Sequence, residues 1–166
     1  MTLDVFNSLS GDEAQNELMR CCGASSWATS MAAARPFASR DEIEQKAAEI
    51  EAQLSDDDWL EAFTHHPRIG DVDQLREKFA STASWSEGEQ QSVSAATENT
   101  LRELKDLNDL YFEKFGFIFI VCATGKSAEA MLDILKSRID HSREAEIINA
   151  ANEQKKITRI RLRKLF

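Results

Sequence analysis

The run Ser86–Phe115, SEGEQQSVSAATENTLRELKDLNDLYFEKF, continues directly into Gly116–Gly125, GFIFIVCATG. The first part opens with a hydroxyl and, three residues on, a carboxylate (Ser86, Glu89). That is the pattern of an N-terminal capping box, and with the helical spacing that follows it predicts the longest helix of the chain, over 87–115. The second part differs in kind. Phe115 to Ala123 is apolar and rich in aromatic and β-branched residues, closed by Thr124-Gly125, and reads as buried extended chain. No alternation of period two runs beyond a few residues elsewhere, so this stretch has no obvious partner strand. The fold class follows: all-α, with one short extended apolar segment at about 117–123.

Working outward, three more helix starts carry the same sign: Ser10-x-x-Glu13, Ser39-x-x-Glu42 and Ser55-x-x-Asp58. Together they place about eight helices, at 11–22, 26–34, 40–54, 56–64, 72–79, 87–115, 127–139 and 143–156. Pro36, Gly70 and Gly125 mark turns. A chain of 166 residues without repeat or linker is expected to be one domain, 1–166, able to bury roughly two-thirds of its unfolded surface. Three cysteines, Cys21 and Cys22 adjacent and Cys122 remote, form neither a disulfide framework nor a CxxC knuckle and suit a reducing cytosol. There is no signal-like N-terminus and no apolar run of membrane length, so a soluble protein is expected. A net charge of -9 argues against binding nucleic acid, which wants a basic face.

The densest chemistry lies in Thr64-His65-His66-Pro67-Arg68-Ile69-Gly70-Asp71, with two of the three histidines and one of the two prolines. Imidazole exchanges protons near neutrality, and Pro67 pushes His66 out of the α region, which puts it at a helix end with its ring aimed. An exposed loop with two histidines gives the same local sequence. The extended segment can offer backbone amides to a ligand, since buried N–H and C=O groups must be paired; a core segment satisfied by neighbouring side chains is the plainer account. Glu89 and Gln90 open the long helix, where the dipole favours anions, although capping alone explains Glu89. Ile157-Thr158-Arg159-Ile160-Arg161-Leu162-Arg163 alternates apolar and basic residues; a guanidinium there can hold a carboxylate in two hydrogen bonds, and a solvated basic tail reads the same way. His65, His66, Asp71 and Asp73 contain metal-ligand atoms, but adjacent histidines point apart and no HExxH spacing exists.

These residues, taken in order, resemble the decarboxylases of ureide metabolism that act on 2-oxo-4-hydroxy-4-carboxy-5-ureidoimidazoline (OHCU). The resemblance runs nearly end to end: Cys21-Cys22-Gly23-Ala24-Ser25 with Trp27, Arg35-Pro36-Phe37, Asp58-Trp59-Leu60, His66-Pro67-Arg68-Ile69-Gly70-Asp71, Ser86-x-x-Glu89-Gln90, Asn108-x-x-Tyr111, Lys114-Phe115-Gly116-Phe117, Val121-Cys122-Ala123-Thr124-Gly125-Lys126 and Ile157-Thr158-x-x-Arg161-Leu162. A slight departure is Gln91-Ser92, where bacterial members often have smaller residues.

The resemblance implies an all-helical, usually dimeric enzyme without metal or organic cofactor, which releases the carboxylate of OHCU as CO2 and yields (S)-allantoin in urate catabolism. It implies that His66, not His65, is the catalytic histidine, with Glu89 beside it. It further implies a substrate-binding set of Pro67, Ser86, Glu89, Gln90, Phe119, Ile120, Val121, Cys122, Ala123 and Arg161. The expected partners are the small-molecule substrate and a second copy of the chain, with neither nucleic acid nor membrane. The C-terminal Arg163-Lys164-Leu165-Phe166 is not a Ser-Lys-Leu peroxisomal address, so bacterial cytoplasm is the expected location. The competing function is a non-catalytic helical interaction module, in which His66 is a helix stop and Glu89 a cap; it requires no convergence of His66, Glu89, Arg161 and the 119–123 backbone.

Overall fold

The computed structural model describes residues 1–68, 72–80 and 90–166, and among these the side chains of all but 78–80 and 90–96. Every regular element among the described residues is a helix: α1 Leu3–Ser8, α2 Gly11–Met19, α3 Ser25–Ala33, α4 Arg40–Glu51, α5 Asp56–Thr64, α6 Val72–Ala80, α7 Gln90–Phe115, α8 Ala128–Arg138 and α9 Arg143–Leu165. The all-α expectation holds, with one helix more than expected. The chain forms two compact units, one of residues 1–66 with 147–166 and one of residues 67–146.

In the first unit the short-range signals act as written. Ser10 and Glu13, and again Ser55 and Asp58, form reciprocal capping boxes. At α4 the serine accepts from the Glu42 amide, but the Glu42 carboxylate turns to the Ala38 amide at 2.6 Å. The helix α3 supplies the centre of this core through buried Trp27, Ala28, Met31 and Ala32, and the Trp27 indole N–H donates to the Ala47 carbonyl on α4 at 3.4 Å. The unforeseen α1 spans six residues, too few for a 3.6-residue period to show in sequence. What holds it is tertiary: Arg35 Nη1 donates to the carbonyls of Phe6 and Leu9, both at 2.8 Å, and Asn7 exchanges two hydrogen bonds with the Phe37 backbone.

The sequence expectation for α9 stopped near residue 156; the helix continues to Leu165. The alternation at 157–163 is misleading, because the positions of α9 that are buried from residue 147 onward are Ile147, Ala150, Ala151, Gln154, Thr158 and Leu162. Those spacings of three and four residues are one helical stripe carried through the basic segment. Arg159 and Arg163 fall on the solvent side, where both meet Glu44.

In the second unit α7 buries Leu101, Leu104, Tyr111 and Phe115 along one face, packing against α6 and α8. It ends where Gly116 takes φ +77°, a left-handed conformation that a side chain would strain; the Gly116 amide closes the last turn on the Phe112 carbonyl at 2.9 Å. The following chain is irregular to Ser127, as expected of the 117–123 segment, with Phe117, Ile120 and Cys122 buried.

A buried polar cluster underlies that segment. Arg138, at the end of α8, donates from Nη1 to the Ile120 carbonyl at 2.8 Å and binds the carboxylate of fully buried Glu146. Tyr111 Oη also donates to Glu146, at 2.5 Å, and His141 Nδ1 lies 2.8 Å from its other oxygen. Burial, and then the hydrogen bond to Glu146, push the Tyr111 phenol well above its ordinary pKa. The Arg138 guanidinium lies over the Phe119 ring at 4.8 Å.

Candidate active site

In the first unit α5 ends at Thr64, His65 caps it, and His66 follows with its amide on the Phe63 carbonyl at 3.2 Å. This is the helix-end placement expected from Pro67. The two neighbouring imidazoles then part company. His65 packs onto Gly23, so closely that a Cβ added to Gly23 would overlap the ring. His66 is half-buried and places Nε2 2.5 Å from Oε1 of Gln154 on α9.

Gln154 is fully buried, and its amide Nε2 donates to Thr158 Oγ1 at 3.2 Å. The Thr158 hydroxyl, also buried, hydrogen-bonds the Cys22 thiol. Sequence reasoning missed Gln154 and Thr158. The signal available was a polar pair, four residues apart, on the buried stripe of α9, which is legible only once the helix is known to run through residue 158. Burial pushes the Cys21 and Cys22 thiols up to about 11, so both are neutral at pH 7 and neither is a ready nucleophile.

Arg161 lines a cavity of about 620 Å³ with Glu17, Arg20, Cys21, His65 and Lys164. Its Nη1 donates to the carbonyls of Arg20 and Cys21 at 3.3 and 3.4 Å, capping the negative end of α2. Within this unit the cavity gathers Arg161 with His65; His66 is turned to Gln154. The three cations Arg20, Arg161 and Lys164 give the cavity an anion-favouring character, tempered by Glu17.

In the second unit Phe119 to Ala123 lie in the irregular stretch after α7, and two of their carbonyls are taken: Ile120 by Arg138, and Cys122 by Lys126 Nζ at 2.8 Å. Pro67 begins this unit. Ser86 and Glu89 lie outside the described residues; Gln90 is the first residue of α7, and its side chain lies outside them as well. Asp71 of the four-residue metal alternative is likewise outside, while Asp73 is paired with Arg76. No cluster of three or more histidine, cysteine, aspartate or glutamate side chains suited to a metal occurs among the described residues. No helix among them is long and apolar enough to cross a membrane.

Comparison with known proteins adds the family. The family model described as OHCU decarboxylase matches residues 7–163. The chain is 39% identical over 155 residues to the uric acid degradation bifunctional protein TTL of Arabidopsis thaliana, covering 92% of this chain and 47% of that one. It is 28% identical over 167 residues to the 2-oxo-4-hydroxy-4-carboxy-5-ureidoimidazoline decarboxylase of Haloferax volcanii, covering 100% of this chain and 96% of that one. Among solved structures it is similar to an OHCU decarboxylase crystallised in the presence of (S)-allantoin, with a TM-score of 0.73, 38% identity, and coverage of 91% of this chain and 97% of that one. The chain belongs to the OHCU decarboxylase family. It spans about half the length of the bifunctional Arabidopsis relative.

Proposed function

We propose that this chain is a carboxy-lyase that converts OHCU to (S)-allantoin and CO2 in urate catabolism, as one functional domain over 1–166. The observation that carries the reading is the pairing of family membership over residues 7–163 with a His66 ring held by Gln154. An aimed imidazole is what a proton-transfer catalyst needs.

The chemistry makes modest demands. Cleavage of the bond to the departing carboxylate leaves an electron pair that the conjugated C=N system of OHCU accepts, so the substrate is its own electron sink and no organic cofactor is required. The remaining task is stereochemical. OHCU also decarboxylates unaided, giving racemic allantoin, so the protein must hold the ring in one orientation and deliver a proton to one face of the ureido-bearing carbon. His66 is the proposed acid/base, oriented or assisted by Glu89. Arg161 is proposed to bind an anionic or carbonyl oxygen, with Pro67, Ser86, Gln90 and the backbone of Phe119, Ile120, Val121, Cys122 and Ala123 reading the ring and ureido groups. A substrate lacking those hydrogen-bonding groups would leave buried partners unpaired, which is the basis for discrimination. We further propose that the protein acts as a homodimer in the bacterial cytoplasm.

The experiment is to supply freshly generated OHCU and follow the circular dichroism of allantoin. A transient optical signal of the S sign, above the enzyme-free background, is expected; racemic product at the spontaneous rate contradicts the reading.

A further inference from the structure

We propose that Gln154 is the positioning residue for His66, fixing the imidazole in the Nε2–H tautomer so that Nδ1 is the nitrogen that exchanges a proton with substrate. This rests on the reading of His66 as the acid/base.

Cys22, Thr158, Gln154 and His66 are linked in one hydrogen-bonded chain. The Thr158 hydroxyl hydrogen-bonds the Cys22 thiol and accepts from Gln154 Nε2 at 3.2 Å. With its nitrogen so placed, Gln154 can offer only Oε1 to His66, and an amide oxygen accepts but never donates. The nitrogen 2.5 Å away, His66 Nε2, must therefore carry the hydrogen. In a neutral ring that leaves the basic lone pair on Nδ1. Nothing in packing calls for this side chain: apart from Thr158, the other buried positions on the α9 stripe are the apolar Ile147, Ala150, Ala151 and Leu162. Burying an amide among such residues is costly unless both of its ends are hydrogen-bonded, and here they are. Second partners of this kind commonly set a histidine's tautomer and ring orientation.

The test is nitrogen-15 NMR of the imidazoles in uniformly labelled protein, with the His66 signals assigned by their loss in His66→Gln. In the wild-type protein, above the histidine titration, the proposal predicts a pyrrole-type shift at Nε2 and a pyridine-type shift at Nδ1. Gln154→Leu should move both shifts toward a mixture of tautomers, and Thr158→Val should do so more weakly. Gln154→Glu, which keeps an acceptor, should retain the wild-type pattern. In turnover of OHCU, Gln154→Leu should lower kcat about 10- to 100-fold, the scale of a misplaced catalytic group, with little change in KM. An Nδ1–H tautomer in the wild type overturns the proposal without any variant having to fold, and so do His66 shifts that ignore both Gln154→Leu and Thr158→Val. Should His66→Ala keep its activity while the tautomer follows Gln154, the catalytic reading of His66 fails and the positioning relation stands.

Discussion

Arg138 Nε and Nη2 close on one carboxylate oxygen of Glu146, at 2.8 and 2.7 Å, where the glutamate is fully buried. Two charges removed from water in this way are tolerated only as a pair. Losing one partner leaves the other uncompensated, at a cost of roughly 3–5 kcal/mol. Glu146→Gln is accordingly expected to be among the more damaging conservative changes in the chain, seen as a large fall in the denaturant midpoint. Because the same guanidinium holds the Ile120 carbonyl, amide exchange along 118–123 should speed up as well. A midpoint unchanged in Glu146→Gln would show that the cluster is neutral to stability.

Gly23 and His65 form a steric pair. A Cβ at Gly23 would meet the imidazole, and small-to-large changes in a close-packed site typically cost about 1–3 kcal/mol. Gly23→Ala should lower Tm, and because the His65 Cβ lies as close to the added methyl as the ring does, it is His65→Gly in the same chain, not His65→Ala, that should restore most of the loss by making room. If the double variant is no more stable than Gly23→Ala alone, the glycine is needed for its backbone and not for the ring it touches.

Glu51 sets a pH dependence. It is buried at the end of α4, and burial pushes its carboxyl up to about 7 despite the attraction of Lys155 and Arg159. The folded protein therefore binds this proton more tightly than the unfolded chain. The stability associated with it is complete below the unfolded-state value near 4.5 and is lost as pH rises to about 7. Glu51→Gln, which never ionises, should match the wild type near pH 4.5 and exceed it above pH 7, by up to about 3 kcal/mol. Thermal melts of the two proteins across that range measure it; parallel curves would mean that the carboxyl titrates normally.

Arg161 is asked to do two things, to cap α2 and to bind substrate. Arg161→Lys keeps the charge but not the planar fork, so kcat/KM for OHCU should fall about 10- to 150-fold, the scale of a charge-assisted hydrogen bond. Arg159→Lys and Arg163→Lys, whose partner is the surface carboxylate Glu44, should be near neutral in activity and stability. Equal behaviour of all three variants would reduce Arg161 to scaffold.

What was legible in the sequence was local. Ser10 with Glu13 and Ser55 with Asp58 cap their helices within four residues of chain, and Pro67 acts on the residue beside it. The 117–123 segment also showed itself, because its apolar, β-branched composition is incompatible with an exposed loop. What could not be read depends on distant partners. Helix α1 is held by Arg35 and Phe37, and the last turns of α9 hide a buried stripe beneath alternating charges. Gln154 matters only because it meets His66 across 88 residues, and Arg138, Tyr111 and Glu146 form a cluster that no spacing announces. The family resemblance supplies the roles proposed for Glu89, Gln90 and Arg161, which local physics alone reads as caps and a basic tail.

The central claim is that His66 delivers stereochemistry to the decarboxylation, and the most direct measurement is allantoin circular dichroism during turnover of fresh OHCU by His66→Gln and His65→Ala. Positioned acid/base groups contribute about 10²- to 10⁴-fold. The account predicts that His66→Gln yields racemic allantoin at close to the uncatalysed rate, while His65→Ala still forms the S enantiomer with most of the wild-type rate. An optically active product formed by His66→Gln at the wild-type rate would contradict it.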